Sequence, residues 1–398
     1  MVRHPSSLAY ACLNLIAWPG DCTAHIVKTR HATLPKRRTS AIRRRTMSNG
    51  DNDKKERIVY LFGAGASQAW VDYRNCPYGI LMRDLNDPME RAIRDFVTSR
   101  EDADRELLDD LTNDLIGDHT DYEHIMTFLD ESPSAVHRRF SAELRLQFEA
   151  VLRNRFADIQ TELADEPSAL YAMLLDMYNV EDCPEELQAI LTINYDNYIE
   201  AAAEATGYWV DFGIDGHGNG STSGKKKIKL VKLHGSFYWN DTWPITYQDD
   251  ASTTPLWIPP GIEKAKKRYP FNLLWGIARE LLQCDVLRIV GCKLSGNDWD
   301  LISLLFTTRH SRADTSPDPY RVEVIDSPAR AKELKEAYPY LDIRSAIDDE
   351  LLSELDPAPD DEPNWFLAWL QQKADTLQRD VISIDTRTGT FRELWEEM

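Results

Sequence analysis

Two hydrophobic rhythms alternate along this chain. Ile58–Phe62, Ala189–Ile193, Ile228–Leu233, Val286–Val290 and Arg321–Ile325 are short runs rich in β-formers. Ile58–Phe62 in particular is apolar at successive positions, the mark of a strand covered on both faces, as strands of a parallel sheet are. Between the first two runs the period changes to three and four residues. Leu81, Leu85, Met89, Ala92, Ile93 and Phe96 form one such stripe, Leu107, Leu108, Leu111 and Leu115 another, and Phe140, Leu144, Phe148, Val151, Leu152, Phe156 and Ile159 a third. Stripes of this kind predict a helical subdomain with its own core. Trp257–Pro260 reads as a loop, Phe271–Leu282 as a helix, Trp365–Leu377 as an amphipathic helix and Val381–Ile384 as a short strand. Strands separated by helices predict an α/β fold, a Rossmann-like, doubly wound and mostly parallel sheet. The helical block, about residues 80–185, is then an insertion between the first two strands.

The polar residues fall where such a sheet binds ligands, beyond the carboxyl ends of its strands. Ile58–Phe62 runs into Gly63-Ala64-Gly65-Ala66-Ser67; the second run ends at Asn194-Tyr195-Asp196, the third at His234-Gly235-Ser236, the fourth at Gly291 and the fifth at Asp326. A glycine turn lets the backbone approach a phosphate, and amides at the following helix N-terminus favour its charge. Five such endings in succession predict one shared cleft, capped by the inserted helices. Individually each has a structural explanation: Asn194 and Asp196 are good turn formers, and Asp326 before Ser327-Pro328 suits a helix cap.

Charge narrows the function. The chain of 398 residues has a formal net charge of −20, which argues against general nucleic-acid binding, since phosphate contacts need clustered bases. Residues 1–46 depart from this, with nine of the 46 bases and only Asp21 of the 66 acids. Residues 1–57 are expected to be a basic extension, with Met47 a natural second start; a transit peptide or nucleic-acid arm are the alternatives. Residues 58–345 are expected to form the α/β domain with its helical insertion, and 346–398 an acidic, proline-bearing linker (Asp348–Pro363) and a C-terminal helix. No window approaches the roughly 18 apolar residues of a membrane span. Six scattered cysteines without a C-x-x-C pair suggest neither a zinc ribbon nor a disulfide framework, so a reducing cytoplasm and no metal are expected.

With the strand endings in order, the chain resembles the sirtuin-like superfamily, specifically the prokaryotic sirtuin-related NAD hydrolases of antiphage defence. The resemblance rests on Gly63–Ser67, Thr192–Asp196, Lys232–Ser236, Gly291–Asp298 and Ile258-Pro259-Pro260, and covers about residues 58–326. It departs from the sirtuin deacetylases, which typically carry G-I-P-D-F-R after the glycine loop, T-Q-N-I-D and four zinc-binding cysteines. Gln68–Gly79 has no such motif, Ile193 stands for the glutamine and the cysteine module is absent.

The resemblance implies an NAD glycohydrolase with NAD as substrate. Asn194 would orient the ribose and a water, and His234 would be the general base. Asp196 would bind the nicotinamide amide, and Gly63, Ala64, Gly65, Ala66 and Ser67 the pyrophosphate. Gly291 and Ser295 would lie near the ribose and phosphates, and Asp326 at a ribose hydroxyl. It also implies gating by homo-oligomerisation or by a separately encoded sensor such as a helicase-type ATPase or a short Argonaute. The alternatives are NAD-dependent protein deacylation or ADP-ribosyl transfer, and a non-catalytic module that senses NAD or ADP-ribose.

Overall fold

The computed structural model describes residues 55–100, 133–163, 168–180, 183–214, 226–240, 255–258, 268–313, 320–347 and 363–382, with isolated positions 105, 127 and 131. All belong to the unit Asp53–Met398. The basic leader, the stripe at 107–115, Pro259-Pro260, nearly all of the Gly/Ser-rich segment 213–224 and nearly all of the acidic linker lie outside the described residues.

Among the described residues, seven strands form one sheet: β1 (Glu56–Phe62), β2 (Glu185–Thr192), β3 (Tyr208–Asp211), β4 (Lys226–Lys232), β7 (Val286–Val290), β8 (Arg321–Ile325) and β9 (Ile343–Ser345). Their order is β3-β4-β2-β1-β7-β8-β9, and every pairing is parallel. Ile58 to Phe62 are all fully buried, so both faces of the central strand are covered. A separate antiparallel pair joins β5 (Gly235–Asn240) to β6 (Pro255–Trp257). This is the doubly wound Rossmann-like fold that the hydrophobic runs predict.

The first two runs are separated by α1 (Ala64–Tyr73), α2 (Met82–Thr98), α3 (Ala135–Glu162) and α4 (Ala169–Met177). Leu85, Met89, Ile93 and Phe96 of α2 meet Phe140, Leu144, Phe148, Leu152 and Phe156 of α3 in a second core distinct from that of the sheet. Phe237, Tyr238 and Trp257 of the β5–β6 ribbon complete it, and Trp257 Nε1 donates to Glu149 Oε2 at 3.1 Å. By contrast Ile159, at the end of the α3 stripe, packs into the sheet's core with α4. The insertion is therefore anchored at both ends.

The remaining helices are α5 (Tyr198–Ala205), α6 (Phe271–Leu281), α7 (Trp299–Ala313), α8 (Pro328–Ala337) and α9 (Trp365–Ile382). The tail helix α9 buries Phe366, Trp369, Leu370 and Ala374, packing against α1, α4 and β8. Two sequence expectations need correction. Trp257 ends a strand rather than opening a loop, because its ring is wanted in the second core. Val381 and Ile382 form the last turn of α9, since an established helix extends at lower cost than a new strand nucleates.

A buried ion cluster under α9 ties the strands together. Arg288, mid-strand in β7, donates through Nη1 and Nη2 to Glu185 at 2.7 and 2.8 Å, and through Nε to Glu323 at 2.9 Å. It also reaches the hydroxyls of Tyr60 and Tyr178, and Lys373 of α9 donates to Glu185 at 2.6 Å. Burial alone would raise the Glu185 carboxyl; Arg288 and Lys373 outweigh it and bring it from 4.5 down to about 2. A carboxyl depressed on folding stabilises the protein fully above its unfolded pKa and loses that contribution as pH falls through the folded value. Unfolding free energy measured by urea titration is expected to drop by about 3 kcal/mol from this group between about pH 5 and 2. Glu185→Gln is expected to flatten that part of the profile; an unchanged acid limb would remove Glu185 from its origin.

Candidate functional site

The register of the sheet assembles the site. Phe62 pairs with Thr192 on one side and Val290 on the other, Thr192 pairs with Lys232, and Val290 with Ile325. These five residues form one row across β4, β2, β1, β7 and β8, with neighbours about 4.8 Å apart. The residues after them, His234, Asn194 and Asp196, Gly63–Ser67, Gly291–Ser295 and Asp326, all leave the sheet at one edge. From the first to the last strand that edge spans about 19 Å, four strand spacings.

At its middle, where chain order reverses between β1 and β7, the two backbones touch. Gly63 N donates to Val290 O at 3.0 Å and Gly65 N to Gly291 O at 2.9 Å. A Cβ on Gly63 would lie 2.6 Å from Gly291 O, and one on Gly65 would lie 2.8 Å from Gly291 Cα. Gly291 has φ +56°, and a Cβ there would lie 2.2 Å from Ala66 N. The three glycines are thus required for packing strand end on strand end, where a side chain has no room. Two of the amides that a phosphate cradle would use, those of Gly63 and Gly65, are already donated to carbonyls of the neighbouring strand end.

Beside this contact lies a buried hydrogen-bond network. Ser67, in the first turn of α1, donates to Asp196 Oδ2 at 2.7 Å and receives Asn194 Nδ2 at 2.9 Å. Its hydroxyl is also 3.2 Å from that of Tyr171, on α4. Asn194 Nδ2 spends its other hydrogen on Gly63 O at 2.9 Å, and Asn194 N donates to Thr192 Oγ1 at 3.0 Å. With Nδ2 fully committed inward, the amide orientation follows from its partners. Asn194 Oδ1 then has no hydrogen-bond partner among the described residues, and it is the group this loop offers to a ligand.

Asp196, expected at a nicotinamide amide, also has partners inside the protein. Its carboxylate is 3% exposed, with Oδ2 on Ser67 and Oδ1 accepting from Tyr198 N at 3.3 Å. Burial raises its pKa, opposed by Lys232 and the Ser67 hydrogen bond. It braces Ser67 and the start of α5 from inside. Lys232, the last residue of β4, donates to the Asp196 carbonyl and to Glu200 Oε1 at 2.8 Å. Lys232 and Glu200 are 1% and 0% exposed; burial raises the Glu200 carboxyl, and Lys232 opposes the rise.

His234 follows Lys232 by two residues and is 5% exposed. Its ring lies near those of Tyr195 and Trp275, each with centroids 6.4 Å away and tilted 33°. Trp275 is held by Nε1 donating to Leu233 O, and Tyr195 by its hydroxyl donating to Ile258 O. The His234 carbonyl accepts from Ile258 N at 2.8 Å. Tyr195 also packs on Phe237 and Trp257, so the histidine's position is set by the second core as well as by the sheet.

On the far side, Ser295 Oγ donates to Asp298 Oδ2 at 3.1 Å within a one-turn helix, Gly296–Asp298. Leu294 just before it has φ +48°, a backbone region unfavourable for a branched side chain and held here by Tyr338 donating to Leu294 O at 2.6 Å. Asp326 Oδ1 accepts from Ser327 N, while Ser327 itself caps α8 by accepting from Arg330 N. Asp326 therefore is not the cap of that helix. Both Asp298 and Asp326 lie close enough to raise the thiol of buried Cys292, which burial, the larger cause, and these charges together bring to about 12.

The residues that sequence reasoning missed are Tyr171, Glu200, Lys232, Tyr195 and Trp275. One signal was present: a lysine at the buried end of a strand and an acid in the first turn of an alanine-rich helix are groups that burial obliges to pair. Tyr171 and Trp275 sit in apolar helical stripes that mark only core. Among the described residues, no cluster of three or more His, Cys, Asp or Glu could hold a metal, and no helix is long and apolar enough to cross a membrane.

Leaving Glu200 without its cation is costly, whereas replacing both partners by apolar groups is not. Lys232→Met is expected to destabilise the protein by about 3–5 kcal/mol, and the Lys232→Met/Glu200→Leu double variant to recover most of that loss in urea unfolding. A double variant as unstable as the single one would show that Lys232 acts on something other than Glu200.

The described geometry can be set beside known proteins. Two solved structures of a Sir2 homologue, each a point mutant in complex with ADP-ribose, are similar to this chain. Each has 10% identity and a TM-score of 0.38, over 84% of this chain and 96% of that one. No curated protein matches the chain. The family model described as the SIR2-like domain matches residues 188–339; Gly63–Ser67 lie outside that match. Residues 188–339, which carry Asn194, Asp196, His234, Gly291, Ser295 and Asp326 at the ends of adjacent strands, match a SIR2-like domain.

Proposed function

We propose that this protein is an NAD glycohydrolase, cleaving NAD to nicotinamide and ADP-ribose. The SIR2-like match suggests NAD-dependent chemistry in general. The observation that favours hydrolysis is the placing of Asn194 and His234 at the same level beyond two paired strands, with the Asn194 amide locked so that Oδ1 remains for a ligand.

The reaction is a displacement at the nicotinamide-bearing ribose carbon. The C–N bond breaks with its electron pair leaving on the nicotinamide nitrogen, which thereby loses its positive charge. The sugar passes through an oxocarbenium-like transition state, as in other glycoside cleavages. A water then adds to that carbon and gives up a proton. Asn194 Oδ1 would hold the water or a ribose hydroxyl, and His234 would take the proton as general base, the role imidazoles most often fill. Gly63–Ser67, Gly291 and Ser295 would lie along the pyrophosphate, and Asp326 at the distal ribose. Asp196, hydrogen-bonded to Ser67, would hold that hydroxyl in place and offer its remaining acceptor capacity to the nicotinamide amide.

Unrestrained NAD consumption would harm the cell that makes the enzyme. We therefore extend the proposal to an effector of antiphage defence, gated by self-assembly or by a separately encoded sensor such as a helicase-type ATPase or a short Argonaute.

Nicotinamide and ADP-ribose released from NAD by purified protein, over a range of protein concentrations, test the reading. Asn194→Ala and His234→Ala are each expected to lower the rate by about 10²–10⁴-fold; Asn194→Ala also leaves Gly63 O and Ser67 Oγ without their donor and is expected to lower the unfolding temperature, so both variants are assayed where circular dichroism shows them folded. A rate untouched by either variant would remove these residues from the chemistry. NAD binding without release at every concentration, also with phage-challenged cell extract added, would favour the sensing module, and turnover of an acyl-lysine peptide would favour deacylation.

A further inference from the structure

A second cleft lies on the face of the sheet beneath α9. Its volume is about 380 Å³, within the range of small-molecule sites. Its floor is a ladder of charge: Arg288, Glu323 and Arg344 are paired neighbours on β7, β8 and β9. Its other wall is α9, through Trp369 and Lys373. Four cations line the cleft, Arg288, Arg321, Arg344 and Lys373, against two carboxylates, Glu185 and Glu323.

Both carboxylates are already engaged. Glu185 accepts from Arg288 and Lys373, and Glu323 from Arg288 and Arg321. The other acids that Arg321 and Arg344 reach, Glu56 and Asp342, lie outside the lining, and both pairs are partly solvated. Exposed pairs of this kind hold their partners weakly, so Arg321 and Arg344 can turn part of their donor set to another anion. The lining thus carries an excess of two positive charges in a chain whose net charge is −20. Guanidinium groups in a partly desolvated recess favour phosphate, which they bind through several N–H donors at once.

We propose that this cleft binds a phosphate-bearing small molecule, its phosphate held between Arg344, Arg321 and Lys373. The volume exceeds that of one phosphate and leaves room for an organic part. Because α9 forms one wall, such a ligand would also tie the tail to the sheet. The tail in turn is fastened to α1, where Asn364 Nδ2 donates to Ala69 O at 2.7 Å, on the helix that carries Ser67. The proposal stands independently of the NAD reading.

Isothermal titration of the full chain with inorganic phosphate and with ribose 5-phosphate, against sodium chloride of equal ionic strength, provides the test. Saturable binding beyond the chloride control is expected for at least one probe, weakened at least tenfold by Arg344→Glu. Arg344 is largely exposed, so that variant is expected to fold; Lys373→Met, which also loosens Glu185, serves as the second. Nicotinamide release should survive Arg344→Glu, which separates failure here from failure of the proposed activity. No saturable binding of either probe, or binding unchanged in both variants, would overturn the proposal and leave the cluster as a structural ion network. Probe binding that is displaced by NAD and intact in both cleft variants would assign the phosphate to the strand-end site and overturn it equally.

Discussion

The backbone contact between Gly63, Gly65 and Gly291 is the constraint on which the rest of the site depends. It joins β1 to β7 beyond the ends of both strands, at the point where the order of the sheet reverses. Any side chain at these positions would push the two strand ends apart by van der Waals repulsion. On the other side of β1, the pairing of Phe62 with Thr192 brings the Gly63 carbonyl close enough to receive Asn194, and Ser67 lies within reach of both Asn194 and Asp196. A fingerprint usually read as ligand binding is here, in the first instance, a packing device.

Polar groups buried beneath the site do a complementary job. Ser67 donates one hydrogen bond and lies within reach of the Asn194 and Tyr171 groups, Asp196 is used on both oxygens, and Lys232 links the loop after β2 to the strand that leads into His234. Such a network is expensive when incomplete and rigid when satisfied. Its effect is that few groups remain mobile: the Asn194 amide cannot turn over without losing two hydrogen bonds. His234 is placed by different means, near two aromatic rings held by their own hydrogen bonds. One of them, Tyr195, belongs also to the core of the inserted helices, so the insertion contributes to the site through packing rather than by supplying chemistry.

The face of the sheet under α9 shows the same economy with charge. A guanidinium in the middle of a strand would be untenable alone, and Arg288 is tolerated because Glu185, Glu323 and two tyrosine hydroxyls surround it. Arg288 and Glu323 were visible in the β7 and β8 runs as charged letters among apolar ones, but nothing local identified Glu185, 103 residues away, as a partner.

Local patterning determined much of this protein. The apolar runs located β1, β2, β4, β7 and β8, the three- and four-residue stripes located α2 and α3, and the polar residues after each run fall together at one edge of the sheet. Strand and helix periodicity are properties of neighbouring residues, and ligand sites in open parallel sheets follow the strand ends. Strands of three or four residues, β3, β6 and β9, escaped because so short a run has no period; their pairing partners define them. Which polar residues face a ligand and which brace the interior was equally beyond local pattern. Asn194 and Asp196 look alike in the sequence as turn formers. Only the tertiary structure, by bringing Ser67, Lys232 and Gly63 against them, turned the carboxylate inward and left the amide oxygen outward, because hydrogen-bond satisfaction of buried groups is settled among residues far apart in the chain.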